Sequence, residues 1–244
     1  KNLIINASGS WHGSVDQFLY YCNKKNKPVE LSDGLDKNIK KNIVYIPYND
    51  IKESLKILKK FRKKACCLII EPIQGCLPSE SGEKYIKFLH NFCKKNKLIL
   101  IFDEMATALR VSCSSVQHKT RTPSDIIIFG KAFSGGLPIG AIGISKRISK
   151  MIKKKNIHIF FGGTYTANSM SMYVGNQMLN YYTKNKKKIF DKLESISTKF
   201  QNDINNFIEE NDIDAKVIRY HSILRLLFSK EYVENRIQRD FLEK

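Results

Sequence analysis

Three short apolar runs constrain the fold of this chain more than any other feature. They cover Cys67–Ile70, Leu98–Phe102 and Ile126–Phe129, and their apolar residues are continuous rather than alternating. A run of this kind is typical of a strand that is covered on both faces, as in a parallel sheet with helices on either side. The sequence therefore predicts an α/β fold with a mostly parallel sheet flanked by helices.

Each of these predicted strands is followed by a charged residue. Glu71 follows the first run, Asp103 follows the second, and Lys131 comes after the third and Gly130. Ligands of open α/β sheets bind beyond the carboxyl ends of the strands. We therefore expect an acid pair and a lysine at one crevice. A lysine amine can form a Schiff base with a carbonyl compound, which makes this set chemically informative.

The rest of the chain alternates between predicted strands and helices. Strands are expected over 3–7 and 43–46, helices over 50–62, 81–96, 169–182 and 188–210, and a strand pair over 217–229. A helix is expected after the glycine turns at 9–13, and a polar surface loop over 23–41. We expect a large domain over 1–185 and part of a small C-terminal α+β domain over 186–244.

Five motifs resemble those of class III pyridoxal-phosphate-dependent aminotransferases, and they occur in that family's order. The motifs are WHG, EPIQG, IFDEMATALR, FGKAFSGGLPIGAIG and GGTYTANS. Within the class, DEMATALRV is similar to the corresponding pattern of glutamate-1-semialdehyde aminomutases. The resemblance covers most of the chain and implies the fold of type I pyridoxal-phosphate enzymes. It also implies that the N-terminal part of the large domain, with its phosphate-binding turn, precedes Lys1.

The resemblance implies roles for five residues. Lys131 would bind pyridoxal 5'-phosphate covalently and move a proton, and Asp103 would keep the pyridine nitrogen protonated. Trp11 would stack on the pyridine ring, with His12 as a structural hydrogen-bonding partner. Thr164 would reach the cofactor phosphate of the neighbouring subunit, which implies a homodimer.

Two further residues are assigned to the substrate region by the same resemblance. Glu71 would lie near the substrate carboxylate, and Gln74 would be similarly placed. Simpler interpretations exist: Trp11 as a core anchor, Glu71 as a buried salt-bridge partner, and the helix start near Asn168, after Thr164, as an ordinary N-cap.

The net charge of +19 raises the possibility of a nucleic-acid-binding protein. The lysines are scattered through KKNKP, KNIKKN, KILKKFRKK and KNKKK, without a recognised nucleic-acid motif or interleaved aromatic residues. Solvated helical faces and loops explain such runs, so neither a nucleic acid nor a membrane is expected as a partner.

The six cysteines indicate free thiols in a reducing compartment. They form no CxxC pair and no zinc-ligand spacing, so no metal site is expected. The chain has no apolar run long enough to cross a membrane, and a cytoplasmic protein is predicted.

The predicted activity is amino-group transfer between small amino and keto compounds, with pyridoxal phosphate as cofactor. The alternative within the family is glutamate-1-semialdehyde 2,1-aminomutase, which transfers the amino group within one molecule. The non-enzyme alternative is a basic binding protein on an inactive scaffold of the same fold.

Overall fold

A computed structural model describes residues 1–23 and 27–228. Its strands are β1 (Leu3–Ala7), β2 (Tyr20–Cys22), β3 (Pro28–Glu30), β4 (Ile43–Ile46), β5 (Ala65–Ile70), β6 (Ile99–Asp103), β7 (Ile126–Gly130), β8 (Gly140–Ile144), β9 (Lys216–Tyr220) and β10 (Ile223–Leu227). Its α-helices are α1 (Ile51–Phe61), α2 (Ser81–Asn96), α3 (Val116–Thr120), α4 (Lys146–Lys154), α5 (Ser169–Lys184) and α6 (Lys186–Glu210).

The central sheet has six strands in the order β4-β1-β5-β6-β7-β8. All neighbouring strands are parallel except β7 and β8, which are antiparallel. Ile70 pairs with Phe102, and Phe102 pairs with Ile127, so β5, β6 and β7 end at the same edge. The predicted α/β fold with a mostly parallel sheet is confirmed.

Apolar side chains on both faces of β5 and β6 explain why these strands lie at the centre. On one face, Leu68, Ile70, Leu100 and Phe102 are buried in the main core. On the other face, Ile69 is buried and Ile101 is half-buried. Full burial of a side chain of this kind stabilises the folded state by about 1.5–3 kcal/mol, compared with leaving the side chain exposed to water. A central strand of a parallel sheet can bury a continuous apolar run, because helices cover the sheet on both sides.

Helices α1 and α2 connect the strands as the periodicity predicts. The Asp50 side chain caps α1 by accepting a hydrogen bond from the Glu53 N–H at 2.9 Å. One face of α2 buries Tyr85, Ile86 and Leu89 in the core. The αL conformation of Lys97 ends α2, and the chain then enters β6.

The segment between β1 and β4 differs from the prediction. The helix expected after Gly13 is a short 3-10 turn at Asp16–Phe18, followed by the hairpin of β2 and β3. The expected loop over 23–41 contains β3 and the start of a second 3-10 helix, Ile39–Asn42. The segment forms a small core of its own, because Tyr20 and Cys22 pack against residues of β4.

Among the described residues, the C-terminal part contains α6 and the antiparallel pair β9–β10. The predicted strand pair is therefore confirmed, apart from residue 229, which lies outside the described residues. The proposed domain boundary after residue 185 coincides with the junction of α5 and α6. The described helices include none that is long and apolar enough to cross a bilayer.

Candidate active site

Asp103 ends β6 and is held as a buried acceptor at the carboxyl edge of the sheet. Its Oδ2 lies 2.8 Å from Nδ1 of His12. Its Oδ1 accepts a hydrogen bond from the Met105 N–H at 3.1 Å. Only 4 % of the residue is exposed. The carboxylate therefore has a fixed orientation before any ligand is bound.

His12 links Asp103 to β1 through its second ring nitrogen. The His12 Nε2 lies 3.1 Å from Oδ1 of Asn6, which is a buried residue of β1. The ring of Phe18 packs edge-on against the imidazole. The sequence analysis did not select Asn6, although a polar residue inside the apolar run LIINA is the kind of signal that marks a buried hydrogen bond.

Glu71 supports the loop that carries Trp11. One oxygen accepts a hydrogen bond from the Trp11 backbone N–H at 2.7 Å, and the other accepts one from the Gly75 N–H at 3.3 Å. Burial raises the pKa of the Glu71 carboxyl, and these two N–H groups oppose the rise. The Trp11 side chain itself is 53 % exposed. It is therefore not the core anchor of the simpler interpretation.

Gln74 also supports the loop that carries Trp11. Its fully buried amide donates hydrogen bonds to the Ser8 carbonyl at 2.9 Å and to the Ser10 hydroxyl at 3.0 Å. Glu71 and Gln74 thus fix the backbone immediately before and at Trp11. Their assignment to the substrate region stays a prediction.

Lys131 follows β7 in a backbone conformation that is uncommon for a residue with a side chain. Its φ is 51°, in the left-handed region where non-glycine residues usually indicate a structural or functional demand. The residue is exposed and lines a cavity of about 550 Å³ together with Arg110 and the turn 136–139. Within the part of the chain that the structure describes, its amine makes no hydrogen bond or ion pair.

Gly130 allows the chain to pass closely over Met105 just before Lys131. A Cβ atom on Gly130 would lie 2.5 Å from the Met105 thioether sulfur and methyl group and 3.2 Å from the Ile139 carbonyl oxygen. A side chain at position 130 would therefore require the end of the Met105 side chain to move, so the constraint comes from space rather than from backbone conformation. This contact joins the segment after Asp103 to the segment that carries Lys131.

Glu104 and Arg110 hold the segment after Asp103, and the sequence analysis did not select either. Glu104 is fully buried and accepts hydrogen bonds from the Thr107 hydroxyl at 2.6 Å and from the first backbone N–H groups of α3 at 2.9 Å. Burial raises the pKa of Glu104, against the effect of these donors. Arg110 donates to the carbonyls of Met105 and Ala106.

Thr164 lies in an exposed turn before α5. The cap of this helix is Asn168, whose side chain accepts a hydrogen bond from the Ser171 N–H at 3.1 Å. The simpler interpretation of this segment, an ordinary N-cap at the helix that begins near Asn168, therefore agrees with the structure. Neighbouring aromatic side chains are largely exposed, including Phe160 at 82 % and Tyr165 at 82 %.

The structure brings most of the predicted site residues to one edge of the sheet. Around the ends of β1, β5 and β6, hydrogen bonds join Trp11 to Glu71, His12 to Asp103, and Gln74 to Ser8 and Ser10. Lys131 follows the adjacent strand β7. Thr164 lies in a separate turn, and no hydrogen bond among the described residues joins it to these residues.

This edge combines a fixed acid, an accessible amine and a partly exposed aromatic ring. The described residues contain no group of three or more His, Cys, Asp or Glu side chains arranged to hold a metal ion. An amine can capture a carbonyl compound covalently, and here the amine follows the strand next to the one that ends in a buried carboxylate.

Similar proteins share both sequence and fold with the chain. Glutamate-1-semialdehyde 2,1-aminomutase of Clostridium novyi is 28 % identical over 238 residues, covering 96 % of this chain and 54 % of that protein. The protein of the same name from Wigglesworthia glossinidia brevipalpis is 31 % identical over 236 residues. The match covers 94 % of this chain and 53 % of that protein. The chain spans about half the length of the curated relatives it matches.

Solved structures confirm the expected fold. An omega-transaminase from Sphaerobacter thermophilus superimposes with a TM-score of 0.85 at 21 % identity, covering 98 % of this chain and 56 % of that one. A glutamate-1-semialdehyde aminomutase from Pseudomonas aeruginosa PAO1 gives a TM-score of 0.81 at 17 % identity, with coverages of 98 % and 55 %. The family model for class-III aminotransferases matches residues 1–243. The chain therefore belongs to the class-III aminotransferase family.

Proposed function

We propose that the protein transfers amino groups between small amino and keto compounds with pyridoxal 5'-phosphate as its cofactor. The observation that carries the proposal is the buried Asp103 carboxylate, fixed by His12 at the end of β6, beside the strand that leads to Lys131. Family membership supports the proposal, as do the aminomutase and transaminase names of the relatives.

The side chains at this edge fit the cofactor. The Asp103 carboxylate can accept a hydrogen bond from a protonated pyridine nitrogen, because each of its oxygens has a further lone pair. The exposed ring of Trp11 can stack on a flat heterocycle. The Lys131 amine can bond to an aldehyde carbon. When bound, pyridoxal phosphate supplies an electron sink for negative charge that develops on the substrate carbon.

Two residues of the chain would handle the protons. Once the substrate amine has replaced the Lys131 amine on the aldehyde carbon, the free Lys131 Nζ would take the proton from the substrate carbon that carries the amino group and would deliver it to the cofactor carbon. A lysine suits this role because its pKa responds strongly to its surroundings. The Asp103 carboxylate would keep a proton on the pyridine nitrogen, which maintains the electron demand of the ring.

Borohydride reduction of the full-length protein with pyridoxal phosphate tests the assignment of Lys131. Reduction should fix the cofactor on a single peptide that contains Lys131, and Lys131→Ala should abolish this labelling. Lys150→Ala is the matched control, since Lys150 is an exposed lysine on α4 and should leave labelling unchanged. Labelling of a different lysine in Lys131→Ala would contradict the proposal.

Asp103→Asn separates the role of the acid from that of the amine. The amide keeps the size of the side chain but cannot balance a proton on the pyridine nitrogen. We expect borohydride labelling at Lys131 to persist while the turnover rate falls by about 10²–10⁴-fold, as for loss of a proton-handling group. A wild-type turnover rate would show that Asp103 does not have this role.

The names of the relatives favour a second candidate within the same chemistry. Glutamate-1-semialdehyde 2,1-aminomutases match with 28–31 % identity, so the amino group could move within one substrate molecule. Turnover of glutamate-1-semialdehyde by full-length protein without any external amino acceptor would establish the aminomutase. A strict requirement for a second, keto substrate would establish the transaminase.

We also propose that the active unit is a homodimer in which Thr164 reaches the neighbouring site. The support is the exposed aromatic segment around it, with Phe160, Phe161 and Tyr165 each more than two-thirds exposed. Exposed apolar patches of this kind mark interaction surfaces. Sedimentation of full-length Phe161→Asp should show a smaller species than wild type, whereas Phe200→Asp, an exposed site on α6, should not.

The proposed domain division and location also lead to direct tests. A small C-terminal domain starting at residue 186 should be released by a limited proteolytic cut near the α5–α6 junction.

A cytoplasmic location agrees with six cysteines that are all free thiols, and microscopy of a tagged full-length protein checks it.

The net charge of +19 leaves a basic binding protein as the non-enzyme candidate. Titration with single-stranded and duplex nucleic acid at moderate salt distinguishes it from the enzyme. Salt-dependent binding together with no borohydride labelling at Lys131 would favour the binding protein.

A further inference from the structure

Two adjacent cysteines near the start of β5 hold their sulfur atoms close together. The Sγ atoms of Cys66 and Cys67 lie 3.7 Å apart, and both residues are free cysteines. Both are half-buried, so a small reagent can reach the sulfurs from solvent. Cys66 and Cys67 therefore form a dithiol, a pair of thiols that one ligand atom can bond at the same time.

An irregularity in the strand pairing brings the two sulfurs together. Side chains of adjacent residues in a regular strand point to opposite faces of the sheet. In the pairing of β1 with β5, Leu3 lies opposite Ala65, and the next residue, Ile4, lies opposite Cys67. Cys66 is thus the extra residue of a β-bulge, and a bulge redirects the side chains at its position. The sequence supplies two neighbouring thiols, and the bulge places them on a common side.

Contacts with the neighbouring strands hold both cysteines in place. The Cys66 thiol donates a hydrogen bond to the Leu3 carbonyl at 3.2 Å. Cys67 pairs with Ile4 on β1 and with Ile99 on β6. Donor atoms that are fixed before binding lose little conformational entropy when a ligand bridges them. The dithiol is therefore pre-organised for a ligand that takes two sulfur atoms.

The number and the type of the donor atoms select the ligand. Thiol sulfurs are soft donors that bind soft, thiophilic centres. Structural zinc sites use four ligands, whereas the described residues contain no group of three or more His, Cys, Asp or Glu side chains arranged for a metal ion. Trivalent arsenic that carries one organic group fits this pair, because it has two further bonds to give to sulfur.

We propose that Cys66 and Cys67 form a binding site for trivalent organic arsenicals of the type R–As(OH)₂. Each thiol forms one S–As bond while one As–OH bond breaks, and the thiol proton leaves with the hydroxide as water. One arsenical therefore releases two water molecules. Arsenic and sulfur keep their oxidation states, so the reaction needs no oxidant or reductant.

Burial protects the same site from reagents that attack single thiols. Burial, together with the neighbouring Cys66, raises the pKa of the Cys67 thiol to about 12. Thiolate is the reactive form towards alkylating reagents, so iodoacetamide should modify Cys67 slowly at neutral pH. An arsenical gains a second bond, to Cys66, that a monofunctional reagent cannot form.

This site is independent of the proposed amino-transfer function. Cys66 and Cys67 lie near the start of β5, whereas Glu71 follows its other end. Among the described residues, no hydrogen bond joins either cysteine to Asp103 or Lys131. Absence of borohydride labelling at Lys131 would leave the arsenical site standing, and absence of arsenical binding would leave the amino-transfer function standing.

Mass spectrometry of the reduced full-length protein with phenylarsine oxide tests the proposal. The intact mass counts the arsenicals that stay bound in excess glutathione, a monothiol that competes with single cysteines. A tryptic map should place one arsenical on the peptide 65–84, and added dithiothreitol should remove it. An arsenical found only outside this peptide in the wild-type protein would overturn the proposal.

Three cysteine variants locate the bridge within the peptide. Cys66→Ser and Cys67→Ser should each bind one arsenical fewer than the wild-type protein, because a single thiol loses the competition with glutathione. Cys76→Ser is the matched control, since Cys76 lies in the same peptide, and it should bind as many as the wild-type protein. Thermal unfolding checks that each variant is folded, and the wild-type map decides alone if one is not. Unchanged binding in both Cys66→Ser and Cys67→Ser would refute the proposal.

Discussion

At the scale of single residues, close packing rather than charge determines what can precede the proposed catalytic lysine. Gly130→Ala places a methyl group 2.5 Å from the Met105 side chain. The free energy of unfolding should fall by about 1–3 kcal/mol, because the Met105 side chain must move and the Ile139 carbonyl oxygen would lie only 3.2 Å from the added carbon. Denaturant unfolding measures the change, and a neutral result would mean that Met105 moves aside freely.

Gly140→Ala is the matched control for this substitution. Gly140 pairs with Gly130 across β7 and β8, but a Cβ there would lie 3.9 Å from the nearest heavy atom, the Phe129 carbonyl oxygen. This is an ordinary contact distance, and the change should stay within about 0.5 kcal/mol. If both variants lose a similar amount of unfolding free energy, the cause is the replacement of a glycine in general and not the contact with Met105.

At the scale of elements, a buried acid positions the segment between Asp103 and β7. Glu104 accepts hydrogen bonds from the N-terminal N–H groups of α3, where the helix end is electropositive. Glu104→Gln replaces one acceptor oxygen with a donor that faces an N–H group. We expect a loss of about 1–3 kcal/mol in the free energy of unfolding, the cost of an unsatisfied buried donor.

Hydrogen exchange locates the effect of this substitution. The amides of Val116 and Gln117 should exchange faster in Glu104→Gln, since they lose their acceptor. Glu80→Gln is the control, because Glu80 is an exposed acid at the start of α2 whose side chain makes no cap hydrogen bond. Unchanged exchange at both amides would show that Glu104 does not hold α3.

At the scale of the whole molecule, charged contacts attach the β9–β10 hairpin to helices α2 and α3. Glu83 of α2 accepts hydrogen bonds from Lys119 at 2.8 Å and from the Tyr220 hydroxyl at 2.7 Å. Burial raises the pKa of Glu83, but these donors outweigh it and leave the pKa below its ordinary value of 4.5. Arg219 and His221 similarly lower the pKa of Glu194 on α6, against its partial burial.

These lowered pKa values predict the direction of acid sensitivity. A carboxyl whose pKa is lower in the folded state than in the unfolded state stabilises the fold fully above its ordinary pKa. That stabilisation is lost as the pH falls through the lowered folded value. Urea unfolding from about pH 6 to about pH 3 should therefore show a decreasing free energy of unfolding below pH 4.5.

Lys119→Met should reduce this acid dependence, because Glu83 loses its charged donor. We expect a loss of about 1 kcal/mol at neutral pH, given the partial exposure of the pair. Lys199→Met is the control, since Lys199 pairs with Asp203 at 3.5 Å on an exposed helix face. An unaltered pH profile in Lys119→Met would contradict the role assigned to Glu83.

The sequence by itself determined the central strands and the residues at their ends. The runs leading to Glu71, Asp103 and Lys131 are continuous and apolar, and burial of such runs is a local property that needs no knowledge of partners. Their adjacency in the sheet followed from the alternation of strands and helices. The α/β fold and the order of the strand-end residues could therefore be predicted.

Only the tertiary structure decided which buried polar groups contact each other. His12 and Asp103 are 91 positions apart, and Asn6 entered the site because β1 lies beside β5. Glu104 is one of two adjacent acids in the sequence, yet it bonds to the first N–H groups of a helix, while Asp103 bonds to His12. Hydrophobic periodicity carries no information about such pairs, because each buried donor must find its acceptor among groups that packing of distant strands brings within hydrogen-bonding distance.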